Sequence, residues 1–277
     1  DVEVLFKHST EHRGTLVLRG SGLSMMVSAS DPGKAGRKVR TVVPLDGSRE
    51  AAKTASIANE LTRLSHSILE GHPVNAERRR RGLPPANILL LRGAGELPAL
   101  EPLGERYGIR PAAVVANALV RGVCLSAGME VIDVPGATGR TDTDTLAKAR
   151  YAVGAVDRFD LIYLHVKGAD NASHDGNLEE KMAMVEKIDR MAGYIIDRID
   201  REAVYVAITV DHTSPISVRG HSGDPVPVAI VGPGVRTDEV DRFTERACAK
   251  GGLGRIRGHE LMPILMNFLG RVEKFGA

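Results

Sequence analysis

Two patterns of apolar and polar residues alternate along the chain. Short apolar runs predict strands, and longer stretches in which apolar residues recur every three or four positions predict amphipathic helices. The opening residues, DVEVLFKHST, also alternate as a strand does. The predicted strands are 15–18, 88–91, 131–134, 161–166, 204–210 and 226–231, and the predicted helices are 51–69, 113–127, 143–155, 178–199 and 260–269. This succession predicts an α/β fold with a mostly parallel sheet flanked by helices.

The composition of the chain changes within residues 96–110. Arg, Gly and Pro are frequent before this segment, whereas strand and helix patterns alternate compactly after it. Such a change is typical of a domain boundary. We therefore expect two domains, residues 1–105 and residues 106–277. We interpret the arginine run 78–81 in the first domain as the solvated end of a helix, where the helix dipole favours cations.

Charge and cysteine content narrow the class of partner and the compartment. Lys and Arg total 37 against 35 acidic residues, so the net charge of +2 favours a small-molecule partner over nucleic acid or a membrane surface. The sequence has no apolar run of the roughly 18 residues that a membrane helix needs and no signal-peptide pattern, so we expect a cytoplasmic protein. Cys124 and Cys248 form no CxxC pair, which argues against a thiolate zinc site and a disulfide framework. The sequence predicts no oligomeric state.

Acidic residues and histidines follow or precede three of the predicted strands. Asp170 and His174 come after strand 161–166, and the adjacent Asp211 and His212 come after strand 204–210. His221 lies ahead of strand 226–231. Ligands of open α/β sheets gather beyond the carboxyl ends of strands. Carboxylate and imidazole are ligands that suit Zn²⁺ and Mn²⁺, so we expect three loops to build a metal site.

Each residue of this set also has a simpler interpretation. A single loop histidine is more often a surface residue, Asp170 suits a turn, and Asp211 suits a helix cap. The joint pattern favours metal binding, because three separate loops beside strands each carry Asp or His. Five ligands exceed what one tetrahedral site takes from protein, so we expect two ions roughly 3.5–4 Å apart. Such pairs stabilise displacement at phosphorus, which predicts phosphoryl transfer or hydrolysis.

Long motifs resemble those of one family. ADNASHDGN, TVDHTSPISVRGHSGDPVP and CAKGGLGRIRGHELMPILMNF are similar to segments of the archaeal-type cofactor-independent phosphoglycerate mutases, members of the alkaline phosphatase superfamily. HSTEHRGTLVLRGSGLS, HPVNAERRRRGLPPANILLLRGAG and GATGRTDTD extend the similarity over most of the chain. The resemblance implies that Asp170, His174 and His221 bind one ion, and that Asp211 and His212 help to bind the other. It also implies that residues 1–105 are an inserted substrate-capping domain and residues 106–277 the C-terminal part of a phosphatase-like domain.

The activity implied by the resemblance is interconversion of 3-phosphoglycerate and 2-phosphoglycerate through a phosphoenzyme, in glycolysis and gluconeogenesis. Two divalent ions (Mn²⁺, Zn²⁺ or Co²⁺) would serve, and 2,3-bisphosphoglycerate would not be needed. The family segment that carries a further Asp ligand and the Ser or Thr nucleophile has no match here, so we expect it upstream of residue 1 and expect no turnover from this chain alone. Ser173, Thr213 and Ser222 are poor replacements, because each sits beside a ligand and suits a local hydrogen bond.

A mutase of this kind also needs cations that grip the carboxylate and phosphate of its substrate, for which the arginine fork is well shaped. Arg121 alternatively pairs with an acid or reaches the surface, and Lys167 alternatively serves the bound phosphate. We rank His12, Arg13 and Arg92 first, because they flank predicted strand ends of the first domain. The candidates are His12, Arg13, Arg92, Arg121, Lys167, Arg255 and Arg257.

Two other functions share the same ligands. A metal-dependent phosphohydrolase or phosphonate-processing enzyme of the superfamily would release its product to water, and the ligand set alone does not separate it from a mutase. A non-catalytic phosphate-binding remnant would explain the unmatched nucleophile segment. The presence of all five ligands and of the arginine set argues against the remnant.

Overall fold

The structure, a computed structural model, describes residues 1–9 and 12–272. It contains two compact units, Asp1–Ala99 and Leu100–Ala277. The break between them falls inside the segment where the composition changes, six residues before the predicted boundary at 105. Leu103 packs against the apolar cluster of the second unit, which explains why the residues just before 105 belong there. The functions assigned to the two domains stay predictions.

The first unit combines an antiparallel hairpin with two helices. Strands β1 (Val2–His8) and β2 (Gly14–Gly20) pair from Val2↔Gly20 to His8↔Gly14. Helix α1 (Arg49–Glu70) begins at Ser48, whose hydroxyl accepts a hydrogen bond from the Ala51 amide and so satisfies one of the unpaired donors of the first turn. Helix α2 (Pro73–Arg80) follows, with three arginines in its last turn, as the interpretation of the arginine run predicted.

Small residues of α1 form the core of the first unit. Ala55 and Ala58 pack against Val42, and Leu91 lies partly buried beside them. The predicted strand 88–91 is wrong, because no strand is assigned there. Leu91 pairs instead with one buried residue: its amide donates to Ser30 Oγ (2.8 Å) and its carbonyl accepts from Ser30 N (2.8 Å).

The second unit contains a parallel sheet of three strands in the order β4-β3-β5. Strands β4 (Glu130–Val131) and β5 (Leu161–Leu164) flank β3 (Pro111–Val114), whose four residues are all buried. The prediction of one helix over 113–127 is therefore wrong at its start. Helix α4 (Ala118–Ser126) begins only after Asn117, whose side chain accepts from the amides of Leu119 and Val120. A four-residue strand buried on both faces shows no alternation, which is why its pattern merges with that of the helix.

Helices cover this sheet, and a second sheet follows it. The α/β class with a parallel sheet flanked by helices is confirmed, whereas β6 (Val206–Thr209) and β7 (Val228–Val231) form a separate antiparallel pair. The remaining helices of the described part are α3 (Leu103–Tyr107), α5 (Thr145–Val153), α6 (Gly168–Asp175), α7 (Leu178–Ile196), α8 (Glu245–Cys248) and α9 (Leu261–Phe268), with a 3₁₀ turn at Gly258–Glu260. Across residues 1–9 and 12–272, no helix is long and apolar enough to cross a membrane.

A buried lysine joins α5 to the end of β5. The side chain of Lys148 is 1% exposed and contacts backbone oxygens, with Nζ 2.9 Å from His165 O and 3.5 Å from Thr138 O. Burial disfavours the charged ammonium and lowers the pKa of Lys148 to about 8. The lysine therefore links the strand end that precedes α6 to the loop that precedes α5.

Replacing Lys148 by Met should change how the free energy of unfolding depends on pH. The folded lysine loses its proton near pH 8, below its ordinary pKa of 10.5, so the unfolded chain binds more protons between these values. The wild type should therefore gain roughly 1–3 kcal/mol relative to Lys148→Met as the pH rises from about 7 to about 10. Urea unfolding of both proteins at the two pH values measures this gain. A constant difference between them would contradict the assignment.

Candidate metal centre

Asp170 and His174 share one face of a short helix. The sequence predicted a loop here, but residues Gly168–Asp175 form α6, which ends at Gly176 in the left-handed conformation. Residues four apart on a helix are neighbours, and His174 Nε2 lies 3.5 Å from Asp170 Oδ1. The loop prediction failed because GADNASHD is only two turns long and carries no apolar period.

His221 completes a group of three donors. It lies on the loop between β6 and β7, which is closed by the isolated bridge Thr213↔Ser222. His221 Nε2 is 3.3 Å from Asp170 Oδ1 and 3.1 Å from His174 Nε2. One donor atom from each of Asp170, His174 and His221 lies within 4.8 Å of the others, which makes these residues a group able to hold a metal ion.

The separations within this trio suit a small divalent ion. Ligands bound tetrahedrally at about 2.0–2.1 Å lie about 3.3 Å from one another. His174 Nδ1 is 3.1 Å from the carbonyl oxygen of Arg219, which can only accept, so Nδ1 carries the proton and the neutral ring keeps its lone pair on Nε2. That lone pair faces Asp170 and His221. The chemistry of the donor set therefore fits the divalent ion that the sequence predicted.

The Asp170 carboxylate is the most enclosed member of the group, with 14% of its side chain exposed. Burial alone would raise the pKa of Asp170, but hydrogen bonds from Lys167 and Ser214, together with the Lys167 charge, outweigh it and lower the pKa to about 2. Lys167 Nζ lies 2.5 Å from Oδ2, on the opposite oxygen from the two histidines. Asp170 is thus a fixed negative charge at neutral pH.

Asp211 and His212 form a pair beside the trio. His212 Nε2 lies 3.7 Å from Asp211 Oδ2, and the His212 ring stacks on that of His221 with centroids 3.6 Å apart. His212 Nδ1 is 4.0 Å from Asp170 Oδ1. The Asp211 side chain is 84% exposed. The structure therefore brings all five predicted ligands together as a compact trio and an adjoining pair, of which Asp211 is exposed.

The predicted substrate residues are more dispersed. Lys167 is the one candidate hydrogen-bonded to Asp170 in the part of the chain that the structure describes. Arg121 Nη1 lies 2.5 Å from Asp133 Oδ1. This hydrogen bond raises the pKa of Arg121 and lowers that of Asp133. Arg121 therefore pairs with an acid, which is one of the alternatives given for it above. Arg92 Nε lies 3.9 Å from Asp31 Oδ2 in the first unit. Exposed positions are occupied by His12, Arg13, Arg255 and Arg257.

Sequence reasoning missed two residues of the second unit and one group of residues in the first unit. His165 directly follows β5, and burial together with the charges of Lys148 and Lys167 lowers its pKa; its position at the strand end was a usable signal. Ser214 donates to Asp170, a contact between distant segments that no local pattern announces. In the first unit, a cavity of about 400 Å³ is lined by Pro32, Lys34, Arg37, Lys38 and Arg40.

A strained residue shapes the loop that carries His221. Arg219 has a φ of 50°, and its carbonyl oxygen accepts from His174. Its guanidinium group lies over Gly176, where an added Cβ would come 2.6 Å from Arg219 Nε. Gly176 itself has a φ of 71°, a conformation that L-residues with side chains disfavour.

Alanine at Gly176 and at Gly193 should shift stability in opposite directions. Gly176→Ala places a side chain in the left-handed conformation against Arg219 and should cost about 1–2 kcal/mol or more. Gly193 lies inside α7 with open space around it, so Gly193→Ala should gain roughly 0.5–1 kcal/mol. Urea unfolding of both variants tests this. Equal shifts, or stabilisation by Gly176→Ala, would show that the loop does not constrain Gly176.

Comparison with known proteins defines the class. A family model described as the metalloenzyme superfamily matches residues 38–268. Because it covers most of the chain, this match places the chain in the metalloenzyme superfamily, in agreement with the donor trio.

Curated relatives identify a narrower family within this superfamily. The chain is 48% identical over 276 residues to 2,3-bisphosphoglycerate-independent phosphoglycerate mutase 1 of Methanocaldococcus jannaschii, covering 100% of this chain and 67% of that protein. It is 50% identical over 277 residues to the phosphoglycerate mutase of the same description from Ignicoccus hospitalis, covering 100% of this chain and 66% of that protein. The chain therefore belongs to the family of 2,3-bisphosphoglycerate-independent phosphoglycerate mutases, as its motifs predicted. It spans about two thirds of the length of these relatives.

Solved structures agree on the fold. A protein from Pyrococcus horikoshii is 46% identical with a TM-score of 0.79, and the match covers 83% of this chain and 60% of that one. The cofactor-independent phosphoglycerate mutase of Thermoplasma acidophilum is 31% identical with a TM-score of 0.66, and the match covers 96% of this chain and 65% of that one.

Proposed function

We propose that this protein acts as a phosphoglycerate mutase that interconverts 3-phosphoglycerate and 2-phosphoglycerate with two bound divalent ions and without 2,3-bisphosphoglycerate. Its place would be glycolysis and gluconeogenesis in the cytoplasm. The observation that carries the proposal is the convergence of Asp170, His174 and His221 within 4.8 Å in a chain of this family. The relatives named above are described as phosphoglycerate mutases, which supports the same activity here.

In this proposal the five predicted ligands divide into two sets. Asp170, His174 and His221 bind the first ion, and Asp211 with His212 contributes to the second. When bound, such ions polarise phosphoryl oxygens and lower the pKa of an attacking hydroxyl. Mixed carboxylate and imidazole donors accept Mn²⁺, Zn²⁺ and Co²⁺ alike, so availability decides among them.

The residues around the trio are proposed to bind the phosphate and to orient the ligands. Lys167 places an ammonium group next to Asp170, where it also attracts a phosphate. The hydroxyls next to the ligands in the sequence are engaged locally: Ser173 donates to Ala169 O, Ser222 to Asp224 Oδ2 and Thr213 to Asp224 O. We therefore propose none of the three as the nucleophile.

The groups that bind the glycerate are proposed to be cationic side chains, chiefly of the first unit. His12, Arg13 and Arg92 remain the leading candidates, with Arg255 and Arg257 as further ones. The cavity lined by Lys34, Arg37, Lys38 and Arg40 adds a group of side chains whose charge suits an anion with both carboxylate and phosphate.

Removing one proposed ligand, from the trio or from the adjoining pair, should weaken metal binding. His174→Ala deletes a lone-pair donor next to Asp170, and Asp211→Ala deletes one from the adjoining pair. We expect the affinity for Mn²⁺ or Zn²⁺ in calorimetric titration to fall at least about 10-fold in each variant. His66→Ala is the matched control, because the His66 ring lies in the first unit, where its Nδ1 contacts Asn87 O. Unchanged metal content of His174→Ala by elemental analysis would exclude the assignment.

In a full-length enzyme that includes the nucleophile segment, Arg92→Ala should damage turnover while leaving metal content unchanged. Loss of a bidentate contact to a substrate carboxylate or phosphate should lower kcat/KM by about 10-fold to 100-fold, the equivalent of a charge-assisted hydrogen bond. Arg63→Ala, which removes an exposed cation from α1, is the control. Following 2-phosphoglycerate and inorganic phosphate together separates mutase from phosphohydrolase. Normal kinetics of Arg92→Ala would reject its role, and phosphate as the main product would replace the mutase by a hydrolase.

A further inference from the structure

One buried hydroxyl connects the two sets of proposed ligands. Ser214, 7% exposed, lies between a carboxylate of the trio and a histidine of the adjoining pair. Its Oγ is 2.8 Å from Asp170 Oδ1 and 3.0 Å from His212 Nδ1. Asp170 lies on α6 and His212 follows β6, so the hydroxyl joins two segments that are distant in the sequence.

Ser214 has a single hydroxyl proton, and this determines the direction of both hydrogen bonds. An ionised carboxylate only accepts, so the single proton of Ser214 goes to Asp170. The serine oxygen then accepts from His212, which requires the His212 proton to be on Nδ1. His212 Nε2 therefore carries a lone pair, and it faces Asp211 Oδ2 at 3.7 Å.

The position of Ser214 is itself fixed from the backbone. Its carbonyl oxygen accepts from Lys181 Nζ of α7 at 2.7 Å, and Pro215 follows it and restricts the chain. Pro215 O then accepts from the amides of Val218 and Arg219, which begins the turn towards His221. The hydroxyl is thus presented by an anchored segment rather than by a free loop.

We propose that Ser214 is a positioning residue that links the two ion sites: its hydroxyl orients Asp170 of the first set and selects the Nδ1–H tautomer of His212, so that His212 Nε2 is available to the second ion. The part that concerns ions rests on the proposed function. The part that concerns the tautomer rests on the protein groups alone, and applies with or without metal.

The test compares Ser214→Ala with Ser214→Thr in the protein at its natural length. Long-range ¹H–¹⁵N spectra of the histidine rings, recorded on metal-free protein at about pH 8 where unperturbed imidazole is neutral, report which nitrogen of His212 carries the proton. We expect His212 to change from one tautomer to a mixture in Ser214→Ala and to keep one tautomer in Ser214→Thr, which retains the hydroxyl. Calorimetric titration with Mn²⁺ or Zn²⁺ should show the second binding event weakened about 10-fold to 100-fold in Ser214→Ala.

Ser173→Ala is the matched control. Ser173 is also buried and adjoins His174, but its hydroxyl donates only to the carbonyl of Ala169 in its own helix. It should leave the tautomer of His212 and both binding events unchanged. An unchanged His212 tautomer in Ser214→Ala, or the same loss in Ser214→Thr and Ser173→Ala, would overturn the proposal. Failure of the wild type to bind any ion would instead contradict the proposed function, and the tautomer measurement would still decide the role of Ser214.

Discussion

The site depends on one enclosed carboxylate. Asp170 accepts from Lys167 on one oxygen and from Ser214 on the other, and the second oxygen also lies within 3.5 Å of His174 and His221. A charge with so little exposure is costly unless cations and hydrogen bonds surround it. These contacts keep it ionised, and they come from Lys167 just before α6, from α6 itself and from the loop between β6 and β7. Asp170 is therefore the contact shared by the three histidines of the proposed ligand set.

Contacts of side chains with backbone oxygens, more than the apolar core, hold the segments that carry the ligands in place. Lys148 joins His165, at the end of β5, to the loop before α5. Helix α6 begins at Gly168, three residues after His165. The absence of a side chain at Gly176 leaves room for the guanidinium group of Arg219, whose carbonyl oxygen contacts His174. Because such contacts join segments far apart in the sequence, small changes at Gly176 or Lys148 would reach the ligands without touching them.

The sequence was most informative where side chains of metal-binding type lie next to a predicted strand. Asp170, His174, Asp211, His212 and His221 were identifiable because each lies close to an apolar strand, and the family followed from long ordered motifs. β3 and α6 were not identifiable, since a four-residue buried strand and a two-turn polar helix show no period. The roles of Ser214 and Arg219 depend on tertiary contacts, which no spacing of residues reveals. Arg121 pairs with Asp133, one of the alternatives that the sequence left open, and its role in substrate binding stays a prediction.

The central claim is that Asp170, His174 and His221 bind the same ion. A crystal structure of the protein grown with Mn²⁺, with anomalous scattering measured at the manganese edge, locates the ion directly. We predict an anomalous peak about 2.0–2.3 Å from Asp170 and from the Nε2 atoms of His174 and His221. A fully loaded crystal whose anomalous peaks lie away from these three residues would contradict the account.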